Sequence, residues 1–157
     1  DEPFSNLDRR MRDAVRDDTV ALLRETGATC IMVTHDPEEA MRIADRIVLM
    51  RSGELIQVGA PEALYRAPVD LEAARFFCDL NEIACRVEGG EAETPLGRIP
   101  APHCADGPAT ACFRPQAFRL APAGEGRAAR IRSVRFLGEA HHVELDIQGL
   151  DEPVKAR

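Results

Sequence analysis

The sequence predicts an α/β segment followed by a small all-β domain, with the change of character near Asn81. Before that residue, helical and strand patterns alternate, and the run from Thr29 to Thr34 is continuously apolar and β-branched. Such a run is typical of a strand that is buried on both faces of a parallel sheet. After Asn81, glycines, prolines and short alternating runs dominate, which favours short strands and turns. We therefore predict two domains, residues 1–81 and residues 82–157.

The first domain begins with a predicted helix that Asp8 can cap and that Gly27 ends. The helix runs to about Arg24, and its expected apolar stripe consists of Met11, Val15, Leu22 and Leu23. Beyond the buried strand, Pro37 lies where the first turn of a second helix is expected. The remaining pattern predicts a hairpin with strands 47–50 and 55–58, then short helices at 61–65 and 70–78.

The second domain is predicted to contain five strands. They cover Ile83–Val87, Ala109–Phe113, Phe118–Ala121, Ala129–Leu137 and His142–Gln148. The last of them alternates apolar and polar residues, as a half-buried strand does. In the strand before it, the apolar phase slips between Ile131 and Val134, which predicts a β-bulge. Gly138 and Glu139 predict the hairpin turn between these two strands.

The composition argues against several classes of protein. The 157 residues carry a formal net charge of −7, and the basic residues are scattered among acids. This pattern argues against a nucleic-acid-binding surface. The apolar runs are far shorter than the ~20 residues that a membrane-spanning helix needs. The five cysteines are odd in number and form no CxxC pair, so reduced thiols are expected rather than disulfides or a zinc site.

Two acidic residues, Asp1 and Glu2, open the chain and precede Pro3. In parallel α/β sheets, the groups that handle ligands lie just past the carboxyl ends of strands. An acidic pair there suits phosphate chemistry, because one carboxylate can hold Mg²⁺ and the next can orient the attacking water. An isolated acidic pair is more often a solvated strand end, so it carries weight only together with His35, which follows the next predicted strand.

The residues around this pair resemble the ATP-binding subunits of ABC importers. Ser5-Asn6-Leu7-Asp8 follows the acids, and His35 lies within Thr34-His35-Asp36. In that family a strand ends in the Walker B Asp and a catalytic Glu, a D-loop of the form SxLD follows, and the next strand ends in a switch histidine. The stretches 36–40, 44–54 and 57–62 are also similar, so the resemblance covers about residues 1–80. It implies the C-terminal half of a P-loop NTPase domain.

The resemblance implies a role for each of these residues. Glu2 and His35 would be catalytic: Glu2 would polarise the hydrolytic water, and His35 would contact the γ-phosphate and the same water. Asp1 would hold the Mg²⁺ of Mg-ATP through water, so the implied cofactors are ATP and Mg²⁺. Ser5, Asn6, Leu7 and Asp8 would lie across the nucleotide-binding interface of an ATPase dimer. The plainer interpretation of this last stretch is a turn with Asp8 as helix cap, and both can hold together.

Several motifs of the same family are missing from the sequence. It contains no GxxxxGK[ST] phosphate loop, no glutamine loop and no LSGGQ-type motif. We therefore expect the sequence to be a fragment of a longer polypeptide. We also expect that it neither binds nor hydrolyses ATP on its own.

Residues 82–157 resemble the OB-like (TOBE-type) extension of importer ATPases from the polyamine, sulfate, maltose and ferric-iron groups. The stretch Phe113-Arg114-Pro115-Gln116-Ala117 is similar to that family's RPE turn, and the region of Gly138 is similar to its final hairpin. Gln116 departs from the usual Glu. The resemblance implies a regulatory ligand-binding module or a dimerisation surface, and dimerisation with regulation is favoured because no convergent polar pocket is evident.

His103-Cys104 and His141-His142 are the remaining candidates for metal binding. Adjacent residues on a strand point to opposite faces, so His141 and His142 do not both reach one ion without distortion. We assign no metal site there. Phe76 and Phe77, near the joint between the domains, are expected to be core residues.

The resemblance as a whole implies an ATPase subunit that couples ATP hydrolysis to solute uptake, with ferric iron the slightly favoured solute. The implied partners are transmembrane permease subunits, a second copy in a homodimer and, indirectly, a periplasmic solute-binding protein. The subunit would lie at the cytoplasmic face of the inner membrane. The alternatives are a non-transport ABC ATPase and a regulatory β module that binds a solute. The acidic charge and the importer-like run from His35 to Glu62 speak against the first, and no nucleic-acid partner is expected.

Overall fold

The computed structural model describes residues 1–4, 7–122 and 124–157. They divide into two units, Asp1–Phe77 and Cys78–Arg157. The first combines helices with an antiparallel hairpin, and the second is built from antiparallel sheets and one 3-10 turn. This mixture confirms the predicted fold class. The domain boundary at Asn81 stays a prediction, close to the division between the units.

The first helix, α1, covers Arg9–Thr26 and has both of its predicted ends. The side chain of Asp8 caps it by accepting a hydrogen bond from the backbone N–H of Met11 at 3.0 Å. Gly27 takes the left-handed conformation at φ 64°, and its N–H donates to the carbonyl of Leu23. The cap fixes the point at which the preceding turn meets the helix.

The predicted buried strand at Thr29–Thr34 is wrong for the described residues. This segment is assigned to no strand, and Ile31 is 91% exposed. A strand needs neighbours on its edges and cover on its faces. Among the described residues, this segment is joined to another part of the backbone by the hydrogen bond from the N–H of Glu2 to the carbonyl of Val33. The apolar stripe predicted for α1 is also largely exposed, including Met11 and Leu22.

Five further helices and strands follow the predicted order, beginning with helix α2. They are α2 (Pro37–Ile43), the antiparallel hairpin of β1 (Ile47–Arg51) and β2 (Glu54–Gly59), α3 (Pro61–Arg66) and α4 (Leu71–Phe77). Their buried core contains Ile47, Leu64 and Phe77. Leu64 is 0% exposed, and a Cβ built on Gly59 would lie 2.8 Å from its Cδ1. The hairpin and α3 therefore pack in direct contact at the centre of this unit.

The second unit consists of two antiparallel sheets. The four-stranded sheet contains β3 (Asn81–Glu88), β4 (Glu91–Thr94), β5 (Gly97–Pro100) and β6 (Gly107–Phe113) in the order β5-β4-β3-β6. The three-stranded sheet contains β7 (Ala129–Phe136), β8 (His141–Ile147) and β9 (Val154–Ala156) in that order. One face of β8 supplies Val143, Leu145 and Ile147 to the core, which confirms the alternation. The bulge is confirmed by a register shift between Ile131 and Ser133.

One predicted strand of this unit is wrong. Phe118–Ala121 forms no strand, because a 3-10 turn at Pro115–Ala117 comes immediately before it and Pro122 follows. Phe118 instead packs against the core of the three-stranded sheet. The sequence analysis also missed the short strands β4, β5 and β9, which have too few residues for a clear alternating pattern.

The side chain of Asn81 joins the two sheets of the second unit. Asn81 lies in β3 and is 6% exposed. Its Nδ2 donates to the carbonyl oxygen of Lys155 in β9 at 2.8 Å, and its Oδ1 accepts from the backbone N–H of Lys155 at 2.6 Å. The amide thus pairs with one residue of β9 as a neighbouring strand would.

Replacing Asn81 with alanine should lower the free energy of unfolding of the second unit by about 1–3 kcal/mol, because both backbone groups of Lys155 lose their partner. Urea unfolding followed by circular dichroism measures the change. The control is Gln148→Ala, which removes an exposed amide just after β8. Equal stability of the two variants would contradict the bridging role of Asn81.

No helix among the described residues combines the length and the apolar character required to cross a lipid bilayer.

Candidate functional site

Glu2 and His35 are brought together by one backbone contact. The N–H of Glu2 donates to the carbonyl oxygen of Val33 at 2.7 Å, so the first residues lie beside the segment that leads to His35. The Nδ1 of His35 lies 2.5 Å from Oε1 of Glu2, although the residues are 33 positions apart. The structure therefore brings the two predicted catalytic side chains into contact.

The backbone of Glu2 is strained. Its φ of 42° lies in the left-handed region. An L-residue other than glycine pays about 1–2 kcal/mol there, so the contacts on either side must hold the conformation. On one side is the hydrogen bond to Val33, and on the other the side chain of Phe4 is buried. These two anchors determine the direction in which the Glu2 side chain leaves the backbone.

The contact with Glu2 raises the pKa of His35 above its usual 6.5. The largest cause is the hydrogen bond that the imidazole of His35 donates to the carboxylate of Glu2, and the second is the negative charge of Glu2. Desolvation of the imidazole opposes the shift, and the charges of Asp36 and Glu39 add to it. The side chains are 77% exposed for His35 and 43% exposed for Glu2, so water reaches both. The pair is therefore a charge-assisted hydrogen bond that favours the imidazolium form.

The substitution Glu2→Gln should lower the pKa of His35 towards its usual value, because the main stabiliser of the imidazolium is removed. In the native chain, the ion pair is fully present below the ordinary pKa of histidine. It is lost as the pH rises through the raised pKa of His35. An NMR titration of the imidazole resonances measures the pKa of His35 in the native chain and in Glu2→Gln. Glu25→Gln, an exposed carboxylate near the end of α1, is the control. An unchanged pKa in Glu2→Gln would show that the contact does not form in solution.

Hydrogen bonds of Thr34 and Asp36 hold the backbone on either side of His35. Asp36 caps α2 by accepting from the backbone N–H groups of Glu38 at 2.9 Å and Glu39 at 3.2 Å. Its own N–H donates to the hydroxyl oxygen of Thr34 at 3.1 Å. An Asp before Pro and two Glu residues is a helix-start pattern, so this cap was detectable in the sequence. His35 is thus held between a hydroxyl-bonded turn and a capped helix.

The other predicted site residues are more dispersed. Asp1 is exposed at the start of the chain. Asp8 caps α1, as the plainer interpretation requires, and the backbone carbonyl of Leu7 accepts a hydrogen bond from Arg12 at 2.8 Å. Ser5 and Asn6 lie outside the described residues. The sequence analysis missed Arg12, because a side chain that binds backbone carbonyls has no motif of its own.

The carboxylates of the described residues do not form a metal site made of protein ligands alone, but they fit Mg²⁺ that is bound together with a nucleotide. Within residues 1–4, 7–122 and 124–157, no three His, Cys, Asp or Glu side chains come together as a metal site. Mg²⁺ commonly keeps several waters and takes one or two carboxylates together with nucleotide phosphates. The exposed carboxylate of Asp1 fits this second mode, in which the nucleotide supplies most of the negative charge.

Comparison with known proteins finds relatives that match nearly the whole chain. No family model matches it. A Streptomyces avermitilis protein, "Fe(3+) ions import ATP-binding protein FbpC", is 39% identical over 153 residues, which are 97% of this chain and 44% of the relative. A Brucella melitensis protein of the same name is 38% identical over 156 residues, 94% of this chain and 44% of the relative.

A third relative extends the match to the full chain. The Rhodococcus jostii "Fe(3+) ions import ATP-binding protein FbpC 1" is 34% identical over 158 aligned positions, which cover 100% of this chain and 46% of the relative. This similarity along the whole chain supports an ABC importer ATP-binding protein. The chain spans less than half the length of these curated relatives. The similarity to these import ATP-binding proteins confirms the resemblance found in the sequence.

Proposed function

We propose that this chain is the part of an ABC importer ATP-binding subunit that carries the catalytic glutamate and the switch histidine. In the full-length subunit, hydrolysis of ATP would drive the uptake of a solute, and ferric iron is the solute in the names of the relatives. The supporting observation is the 2.5 Å contact between Glu2 and His35 in a chain that is similar to these import ATP-binding proteins.

The chemistry of the pair suits hydrolysis of a phosphoanhydride. Glu2 is a half-exposed carboxylate, so it can accept a hydrogen bond from an attacking water and polarise it. His35 favours the protonated form and can donate to an oxygen of the γ-phosphate. Their mutual hydrogen bond restricts both side chains, and restriction of the reacting groups is a large part of catalysis in this class of reaction.

The cofactors in this proposal are ATP and Mg²⁺. When bound, the ion would offset the negative charge of the nucleotide phosphates. Asp1 would hold it through water. Ser5, Asn6, Leu7 and Asp8 would face the nucleotide across the interface between two copies of the subunit. The cap that Asp8 forms on α1 is compatible with this role, because it uses one carboxylate oxygen, Oδ1.

The partners in this proposal are transmembrane permease subunits and a second ATP-binding subunit, with a periplasmic solute-binding protein as an indirect partner. The subunit would lie peripherally at the cytoplasmic face of the inner membrane. The import named for the relatives supports this assignment. The second unit, with its antiparallel sheets, would be an OB-like (TOBE-type) domain with a role in regulation and dimerisation.

Uptake of radiolabelled ferric iron tests the proposal. In a strain that lacks the gene, the full-length subunit and its Glu25→Gln variant should restore uptake, and His35→Ala should not. An excess of a polyamine or sulfate should leave uptake unchanged. Iron uptake that is independent of the gene would overturn the assignment of solute, and full uptake with His35→Ala would overturn the role of the histidine.

The chain of residues 1–157 alone should bind a fluorescent ATP analogue no more tightly than millimolar in the presence of Mg²⁺. Its sequence contains no phosphate loop to surround the β- and γ-phosphates. Fluorescence anisotropy measures the affinity. Micromolar binding would contradict the inference that tight ATP binding requires a phosphate loop.

A further inference from the structure

One guanidinium group spans the turn that follows Glu2. The Nε of Arg12 donates to the carbonyl oxygen of Phe4 at 3.1 Å, and one of its terminal nitrogens donates to the carbonyl oxygen of Leu7 at 2.8 Å. The N–H of Leu7 also donates to the carbonyl of Phe4 at 3.2 Å. Both ends of the turn are therefore attached to the same half-buried side chain of α1.

The contact requires the shape of arginine. The guanidinium is a planar group with five N–H donors, so it can reach two carbonyl oxygens at once. The ammonium group of a lysine concentrates its three donors on one atom and does not span the same distance. Arg12 itself is fixed, because it lies in the second turn of a helix that Asp8 caps.

This attachment reaches the candidate site through Phe4. Phe4 is buried and lies two positions after Glu2. Glu2 has a strained φ of 42° and is tied to Val33 on its other side. If the carbonyl of Phe4 is released, one of the two anchors of the strained residue weakens, and the carboxylate no longer has a fixed position relative to His35.

We propose that Arg12 is a positioning residue, which fixes the turn after Glu2 and so holds the Glu2 carboxylate against His35. The effect on hydrolysis rests on the proposed function, whereas the effect on the turn does not. The two consequences are therefore measured separately.

Amide hydrogen exchange in the chain of residues 1–157, followed by NMR, tests the effect on the turn. Arg12→Gln should speed exchange at the N–H of Leu7 about tenfold or more and leave the interior amides of α1 unchanged. Arg12→Lys keeps the charge and should give an intermediate effect. Arg10→Gln, an exposed arginine of the same helix, is the matched control. Wild-type exchange at Leu7 in both Arg12 variants would overturn the proposal.

Steady-state ATP hydrolysis by the full-length subunit tests the effect on catalysis. Arg12→Gln should lower kcat about tenfold to a hundredfold and leave KM for ATP nearly unchanged, because a small displacement of a reacting group costs rate rather than binding. Arg10→Gln should match the wild type. Faster exchange at Leu7 with a wild-type kcat would overturn the positioning role. If the wild-type subunit itself does not hydrolyse ATP, the proposed function fails, and the exchange experiment alone decides whether Arg12 holds the turn.

Discussion

Replacing Glu2 with glutamine in the full-length subunit should lower kcat for ATP hydrolysis by about 10²–10⁴-fold and preserve ATP binding. A positioned carboxylate that activates water contributes a rate factor of this size. Glutamine has nearly the same shape and can still lie beside His35, but its amide is a very weak base. Phosphate release at saturating ATP measures kcat, and nucleotide titration measures binding.

The control for this prediction removes one negative charge at a position away from the candidate site. Glu25→Gln removes an exposed carboxylate near the end of α1 and should hydrolyse ATP at the wild-type rate. A Glu2→Gln enzyme with at least a tenth of the wild-type kcat would show that Glu2 is not the residue that activates the water. Loss of ATP binding together with kcat would point instead to damage of the nucleotide site.

The largest expected effect on stability comes from Leu64→Ala. Leu64 is 0% exposed and lies in the core that Ile47 and Phe77 share. Removing its isobutyl group leaves a cavity, and such substitutions lower the free energy of unfolding by about 2–5 kcal/mol. Denaturant unfolding of the first unit, followed by circular dichroism, measures the loss.

The matched control for Leu64→Ala is Leu22→Ala in α1, where the leucine is 60% exposed. This substitution removes the same group from the same unit, and surface substitutions of this kind usually change the free energy by less than about 0.5 kcal/mol. If the two variants were equally stable, Leu64 would not be part of a packed core in solution.

Local patterns predicted the elements whose stability is local. Asp8 and Gly27 define the ends of α1 through contacts within a few residues, and the hairpin of β1 and β2 closes over a short turn. The segment 29–34 is different, because a buried strand depends on partners that lie far away in sequence. Its apolar residues are suited to burial, but Ile31 and Val33 are exposed because the described part of the chain does not cover them.

The candidate site was predictable to a similar extent. The spacing of Glu2 and His35 at the ends of two expected strands anticipated their contact, although the connection is a single backbone hydrogen bond rather than a sheet. The strained backbone of Glu2 was not predictable. It depends on the contacts of Val33 and Phe4 on either side, and neither contact leaves a pattern in the residue order.

The pairing of Asn81 with Lys155 has a consequence for how the second unit melts. Two sheets that are held together only by apolar side-chain contacts can separate gradually, because each contact is lost independently. Here one amide must break both of its hydrogen bonds with Lys155 before the sheets part. The sheets should therefore behave as one cooperative folding unit with a single calorimetric transition, and in Asn81→Ala that transition should broaden as the three-stranded sheet begins to open first.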